Sequence, residues 1–164
     1  MNAPPVNKNR RAVLIWLILC LGLVGAMVFV GGYTRLSGSG LSITEWKPIH
    51  GIIPPLDEAQ WQEEFEAYRA SPQYIKINQG MSLPEFKTIF WPEYWHRVLG
   101  RLIGAVFFIP LIIFAARKSI SRRFALRLFC IFALGGLQGL AGWLMVKSGL
   151  VDAPHVSHFR LAIH

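Results

Sequence analysis

The sequence predicts an all-α integral membrane protein, built as one transmembrane four-helix-bundle half with a long extracytoplasmic loop. The chain has 164 residues, of which 53% are hydrophobic and 16% charged, and this is more apolar than is usual for a soluble domain. Three apolar runs each have about the 20 residues that a helix needs to cross a bilayer. The net charge is +8, but the basic residues cluster beside these runs, so we expect no nucleic-acid partner.

The apolar runs predict three complete membrane helices at residues 12–31, 96–116 and 124–146. The first run is longer than the apolar part of an ordinary signal peptide, so we expect it to be retained. A fourth helix is predicted to begin at 158–164, after Ser157 as N-cap. Because the apolar pattern continues up to His164, we expect the front part of a longer protein.

Basic residues on short flanks predict the orientation in the membrane. They fill the N-terminal segment 1–11 and the link 117–123, which we therefore place in the cytoplasm. The segment 32–95 and the link 147–157 then lie outside. The predicted location is the bacterial inner (cell) membrane, or the mitochondrial inner membrane if the protein is organellar.

The outer segment 32–95 contains two predicted amphipathic helices. Trp61, Phe65 and Tyr68 recur at helical spacing within 57–70, and Ser82 with Glu85 forms a capping-box pattern before a second helix. These helices lie either at the membrane surface or in a solvated loop, and the pattern fits both. Both cysteines of the chain lie inside apolar runs, so no disulfide framework is expected.

The stretch "WPEYWHRVLGRLIG" places ionisable residues where the outer segment meets the second membrane helix. Pro92 suits the first turn of a helix that begins here. Six residues fall within an arc of roughly 140° on one helix face: Glu93, His96, Arg97, Gly100, Arg101 and Gly104. Such a set usually faces a binding site, with the glycines leaving room for a bulky group. The alternative is that the arginines reach the lipid headgroups.

Two histidines are expected at similar depth on different helices. His164 lies about 10 Å into the fourth helix, and His96 lies one turn into the second. Two facing imidazoles suit a bis-histidine haem iron, and Arg97, Arg101 and Arg160 could then meet the haem propionates.

The other polar and small residues near these helices carry weaker signals. His155 and His158 form a loop H-x-x-H pattern that only weakly suggests a metal site, and His50 reads as a turn residue. In the third helix Gly135, Gly139 and Gly142 share a face that permits close approach or plain helix packing.

Three long motifs resemble the haem A synthase family, in its α-proteobacterial and mitochondrial form. They are "GGYTRLSGSGLSITEWKPIHGIIPPL", "SPQYIKINQGMSLPEFKTIFWPEYWHRVLGR" and "HFRLAIH". The resemblance implies an oxidoreductase that converts the C8 methyl of haem O to a formyl group, giving haem A for cytochrome oxidase. It implies an eight-helix fold of two similar halves, with iron ligands at His96 and His164 and a catalytic Glu93 that handles protons.

The resemblance also implies how this chain relates to the whole family fold. Haem O would bind in this half and a haem b in a second half that the sequence does not include, so we expect the chain alone to be inactive. Implied partners are haem O, membrane lipid, haem O synthase, cytochrome oxidase assembly factors and a second copy of the chain. Two other functions remain open: a non-catalytic bis-histidine cytochrome b-type subunit, or a haem carrier or assembly factor.

Overall fold

All secondary structure described in the chain is helical. A computed structural model describes residues 8–44, 50–149 and 158–164. The helices are α1 (Lys8–Leu36), α2 (Glu58–Arg69), α3 (Pro72–Lys76), α4 (Leu83–Ala116), α5 (Arg122–Gly149) and α6 (His158–Ile163). A single 3₁₀ turn at His50–Ile52 precedes α2. The predicted start of the fourth membrane helix corresponds to α6, while its predicted N-cap Ser157 lies outside the described residues.

Three of these helices are long and apolar enough to cross a membrane, which confirms an all-α chain with three candidate membrane spans. The candidate spans are Arg10–Leu36, Leu83–Ala116 and Arg122–Ser148, with mean hydropathies of 2.9, 2.4 and 1.8. Each helix extends beyond the apolar run that predicted it, because helical hydrogen bonding continues into the polar flanks where hydropathy falls. In α1 this extension carries Thr34, whose hydroxyl bonds the carbonyl of Val30 in its own helix.

Pro92 does not begin a helix, and that prediction was wrong. One helix, α4, runs from Leu83 to Ala116 with Pro92 inside it. The capping box predicted at Ser82 and Glu85 is present and marks the true start. Proline removes one N–H from the helix ladder. The helix nevertheless continues, because buried aromatic side chains on both sides of Pro92 share one face.

This face of α4 packs against α2 in an aromatic layer, which we define as Trp61, Phe65, Tyr68, Phe86, Phe90 and Tyr94. The predicted helix at 57–70 is confirmed as α2, with Asp57 as N-cap accepting a hydrogen bond from the Gln60 amide. Because α4 covers the apolar face of α2, tertiary packing explains the amphipathic pattern without a membrane surface. The short helix α3, capped by Ser71, was not predicted.

A second cluster joins the helices at the other end of the bundle. Val13, Trp16 and Cys20 of α1 pack with Leu111 of α4 and Leu128 of α5. The Trp16 indole N–H donates to the Val106 carbonyl at 2.8 Å. Helix α1 is therefore held against α4 at both ends, whereas most described side chains of α5 are exposed. Cys20 and Cys130 are both free thiols, as the sequence indicated.

Candidate functional site

The structure brings together the two histidines that the sequence paired. The imidazole of His96 on α4 and that of His164, which follows α6, have ring centroids 6.5 Å apart and planes inclined by 73°. Of the other histidines, His155 lies outside the described residues, and the side chains of His50 and His158 lie outside those that the structure describes. The weak metal-site prediction for His155 and His158 therefore stays a prediction.

His96 lies against a glycine of α1. A Cβ added to Gly31 would be 3.1 Å from His96 Nε2, closer than side-chain contacts normally are. One turn further along α1, the Thr34 hydroxyl reaches the Pro92 carbonyl of α4 at 3.2 Å. The missing side chain at Gly31 thus provides the space that the half-buried imidazole occupies. No local pattern in the sequence marks Gly31 as a site residue, although it belongs to the first of the three motifs.

His164 lies against a glycine of α5. A Cβ on Gly142 would be 2.7 Å from His164 Cε1, so any side chain there would displace the ring. His164 Nδ1 is 3.0 Å from the carbonyl oxygen of Gln138. A carbonyl only accepts, so this contact places the proton on Nδ1 and leaves the lone pair of a neutral ring on Nε2. Such a bond is the usual way in which a metal-binding histidine is oriented.

The spacing of the two rings fits an iron ion between them. A metal–imidazole bond measures about 2 Å, and adding the ring radii predicts a centroid separation of about 6 Å for a bis-imidazole complex. The observed 6.5 Å is close to this value. Two axial imidazoles are one of the ligand sets that hold haem iron. The ring separation and the chemistry of the two side chains are therefore compatible with a haem iron between them.

Glu93 is buried and fully engaged in hydrogen bonds. Only 3% of its surface is exposed. Its Oε2 accepts from the Ser42 amide at 2.7 Å, the Ser42 hydroxyl at 2.7 Å and the Ile43 amide at 3.0 Å. Its Oε1 accepts from the Arg97 guanidinium at 2.6 Å. The carboxylate therefore joins α4 to the chain segment that follows α1.

The arginines of α4 also contact the segment between α1 and α2, which is called the outer segment from here on. Arg97 donates to the Ile43 carbonyl at 2.9 Å, and Arg101 donates to the Gly51 carbonyl at 3.2 Å. The predicted common face is divided: Glu93, Arg97 and Arg101 bind the outer segment, while His96 lies against α1. The prediction that the glycines leave room for a bulky group was wrong at Gly100, where the Met27 methyl lies 3.0 Å from an added Cβ.

The three long apolar helices define the class as a multi-span α-helical membrane protein, and two of its histidines lie close together. The sequence from residue 14 to 164 matches the family described as cytochrome oxidase assembly protein, and the chain belongs to that family.

Proteins named haem A synthase are among its relatives. The chain is 58% identical to one from Nitrosospira multiformis over 94% of its own length and 44% of the relative. It is 57% identical to one from Nitrosomonas eutropha, over 96% of the chain and 44% of the relative. One from Paramagnetospirillum magneticum is 56% identical, over 96% of the chain and 45% of that protein. The chain thus spans a little under half the length of these relatives, and no solved structure is significantly similar to it.

Proposed function

We propose that this chain forms the haem-substrate half of a haem A synthase. The overall reaction oxidises the C8 methyl of haem O to a formyl group and gives haem A for cytochrome oxidase. The observation that carries the proposal is the pair of imidazoles, 6.5 Å apart on two helices, each fitted against a glycine. The names of the relatives support the reaction.

In this proposal His96 and His164 would hold the haem O iron. The bound haem supplies the redox chemistry at its iron and porphyrin. The protein orients it: the Gln138 carbonyl fixes the tautomer of His164, and Gly31 sets the space for His96. A haem b in the part of the synthase beyond this chain is the proposed second cofactor.

The proposed propionate ligands are Arg97, Arg101 and Arg160. A guanidinium carries five N–H groups, so the bonds of Arg97 and Arg101 to loop carbonyls leave donors for a carboxylate. The side chain of Arg160 lies outside those described. The role of Glu93 in proton transfer also stays a prediction. A proton taken up on Oε1 would use its second lone-pair site and would weaken the ion pair with Arg97, because the carboxyl group would then be neutral.

The reaction is tested with a chimera. The matching N-terminal part of the Nitrosospira multiformis relative is replaced by this chain and expressed in a host that makes haem O but no haem A. We expect haem A among the extracted pigments, and none from the same chimera carrying His96→Ala. A chimera that folds, binds haem B alone and forms no haem A would contradict the proposal and favour a cytochrome b-type subunit. Bound haem O that stays unchanged would favour a carrier.

The proposed location is the bacterial cell membrane, or its mitochondrial equivalent, with the N-terminus in the cytoplasm. Basic residues before α1 and between α4 and α5 support this orientation. In a Cys20→Ala, Cys130→Ala background, Glu63→Cys on exposed α2 should label from outside and Ser119→Cys from the cytoplasm. Labelling of both cysteines from one side would overturn the orientation. Haem O synthase, assembly factors and a second copy remain proposed partners.

A further inference from the structure

Three charged residues of α4 form a strip whose partners are in the outer segment. Glu93, Arg97 and Arg101 are spaced four residues apart, so they lie along one face over two turns. All three bind backbone groups of the segment between α1 and α2. We call these three side chains the clamp.

At the Glu93 end of the clamp, backbone groups of the segment between α1 and α2 hold the carboxylate anion. The Ser42 and Ile43 amides and the Ser42 hydroxyl all point at Glu93 Oε2. Successive amides of this kind form a small concave site for a negative oxygen. A buried carboxylate without such donors would be very unfavourable, so the burial of Glu93 requires that Ser42 and Ile43 stay in place. The Ser42 hydroxyl also lies 3.1 Å from the Ile89 carbonyl of α4.

At the arginine end of the clamp, the guanidinium groups donate to backbone carbonyls. Arg97 bridges Glu93 and the Ile43 carbonyl, and Arg101 donates to the Gly51 carbonyl. The Tyr94 hydroxyl adds a bond of 2.6 Å to the next carbonyl, that of Ile52. Two separate stretches of the outer segment, at 42–43 and 51–52, are therefore attached to the same part of α4 that carries His96.

The attachment of Ser42 to Glu93 also restricts the position of α1. Helix α1 ends at Leu36, and a tight turn leads from there to Ser42, whose hydroxyl lies 3.0 Å from the Ser39 carbonyl. Because few residues separate Gly31 from Ser42, holding Ser42 on Glu93 restricts how α1 can slide or rotate against α4. The contact between Gly31 and His96 requires one such register.

We propose that the clamp sets the register of α1 against α4 and thereby orients the His96 imidazole. Glu93 is then a positioning residue for the imidazole pair, and its carboxylate stays hydrogen-bonded instead of exchanging protons. The clamp itself does not depend on the identity of the ligand. Its importance for haem rests on the proposed function.

The clamp is tested first in the haem-free chain in lipid nanodiscs, by NMR. Glu93→Gln should speed hydrogen exchange at the Ser42 and Ile43 amides by about tenfold or more, because bonds to a charged acceptor are lost. It should also shift or split the imidazole resonances of His96. The matched control is Glu63→Gln, at an exposed position on α2, which should change neither. Unchanged amide exchange and an unchanged His96 signal in Glu93→Gln would overturn the proposal.

Milder variants guard against simple loss of folding. Ser42→Ala removes one donor to Glu93 and leaves the backbone amides, so it should reproduce the exchange change in weaker form. Arg97→Gln should reproduce the His96 shift. A Ser42→Ala variant with wild-type exchange at Ile43, together with a wild-type His96 signal in Arg97→Gln, would show that these bonds do not hold the segment.

The haem-loaded chain then separates positioning from proton transfer. Electron paramagnetic resonance g-values of a low-spin haem depend on the orientation of its axial imidazoles. Positioning predicts that Glu93→Gln and Arg97→Gln shift these g-values in the same direction. A proton-exchange role predicts unchanged g-values in this chain together with loss of haem A formation in the chimera, and this result would overturn the proposal. If the wild-type chain bound no haem, the proposed function would fail. Amide exchange in the haem-free chain would still show whether the clamp holds Ser42 and Ile43.

Discussion

The two halves of the imidazole site are held in very different ways. His96 lies on α4, which is packed against α1 at both ends and attached to the outer segment through the buried Glu93. His164 follows a six-residue helix, is exposed, and touches α5 through Gly142 and the Gln138 carbonyl. In the proposed site, the register of α1 against α4 therefore sets the position of His96, whereas close approach to α5 sets that of His164.

The largest expected effect comes from removing either imidazole. His96→Ala should abolish haem binding by the chain, because the imidazole enclosed between α1 and α4 is lost. His164→Ala should leave weaker, five-coordinate haem on His96, seen as a change from a low-spin to a high-spin absorption spectrum. The control is His50→Ala, which should keep the low-spin spectrum.

The opposite result would reverse the comparison between the two halves. If His164→Ala lost the haem and His96→Ala kept it, α6 would carry the stronger ligand. If His158→Ala removed the haem and His164→Ala left it unchanged, the choice between these two histidines would be wrong.

An intermediate effect is expected from filling the two glycine positions. Gly142→Ala should lower haem affinity by about tenfold, because the added methyl displaces His164, whereas thermal stability should change little since the exposed ring can move. Gly31→Ala should lower both affinity and melting temperature, because His96 is enclosed between α1 and α4. Titration with haem and thermal unfolding in detergent measure both quantities.

Two glycines with open surroundings provide matched controls for this pair. Gly25 on α1 and Gly135 on α5 have no heavy atom within 4 Å of an added Cβ. Alanine at either position should leave haem affinity unchanged and raise helix stability slightly. Equal affinities for Gly142→Ala and Gly135→Ala would show that the contact between His164 and Gly142 is not needed for ligation.

Local sequence patterns predicted much of this architecture but not its registers. Hydropathy located the three spans, and aromatic spacing located α2, because both depend on residues near in sequence. Pro92 does not mark the helix start, because its local preference for a first turn is overridden by aromatic packing on α2. The pairing of His96 with His164 followed from depth on two helices.

The contacts between the two glycines and the two histidines could not be predicted in the same way, and neither could the clamp. The contact of Gly31 with His96 and that of Ser42 with Glu93 join residues more than 50 positions apart. They depend on how α1 is set against α4, which no local spacing specifies. The same limit explains why the sequence predicted haem propionates or lipid headgroups as partners of the α4 arginines. In the structure Arg97 and Arg101 donate to the Ile43 and Gly51 carbonyls.

The smallest expected effect is at the start of α4, on the well-packed side but away from the imidazoles. Glu85 Oε2 accepts from both the amide and the hydroxyl of Ser82, at 2.7 Å each. Glu85→Ala removes these bonds and should lower the melting temperature only slightly, because the capping carboxylate is exposed to solvent. Asp57→Ala, which removes the N-cap of α2, should lower it by a similar amount. Neither variant should change the low-spin haem spectrum, because the aromatic layer holds α4 whether or not its first turn frays. A spectral change in Glu85→Ala that is absent in Asp57→Ala would mean that the first turn of α4 transmits strain to His96, and the outer end of α4 would then belong to the site.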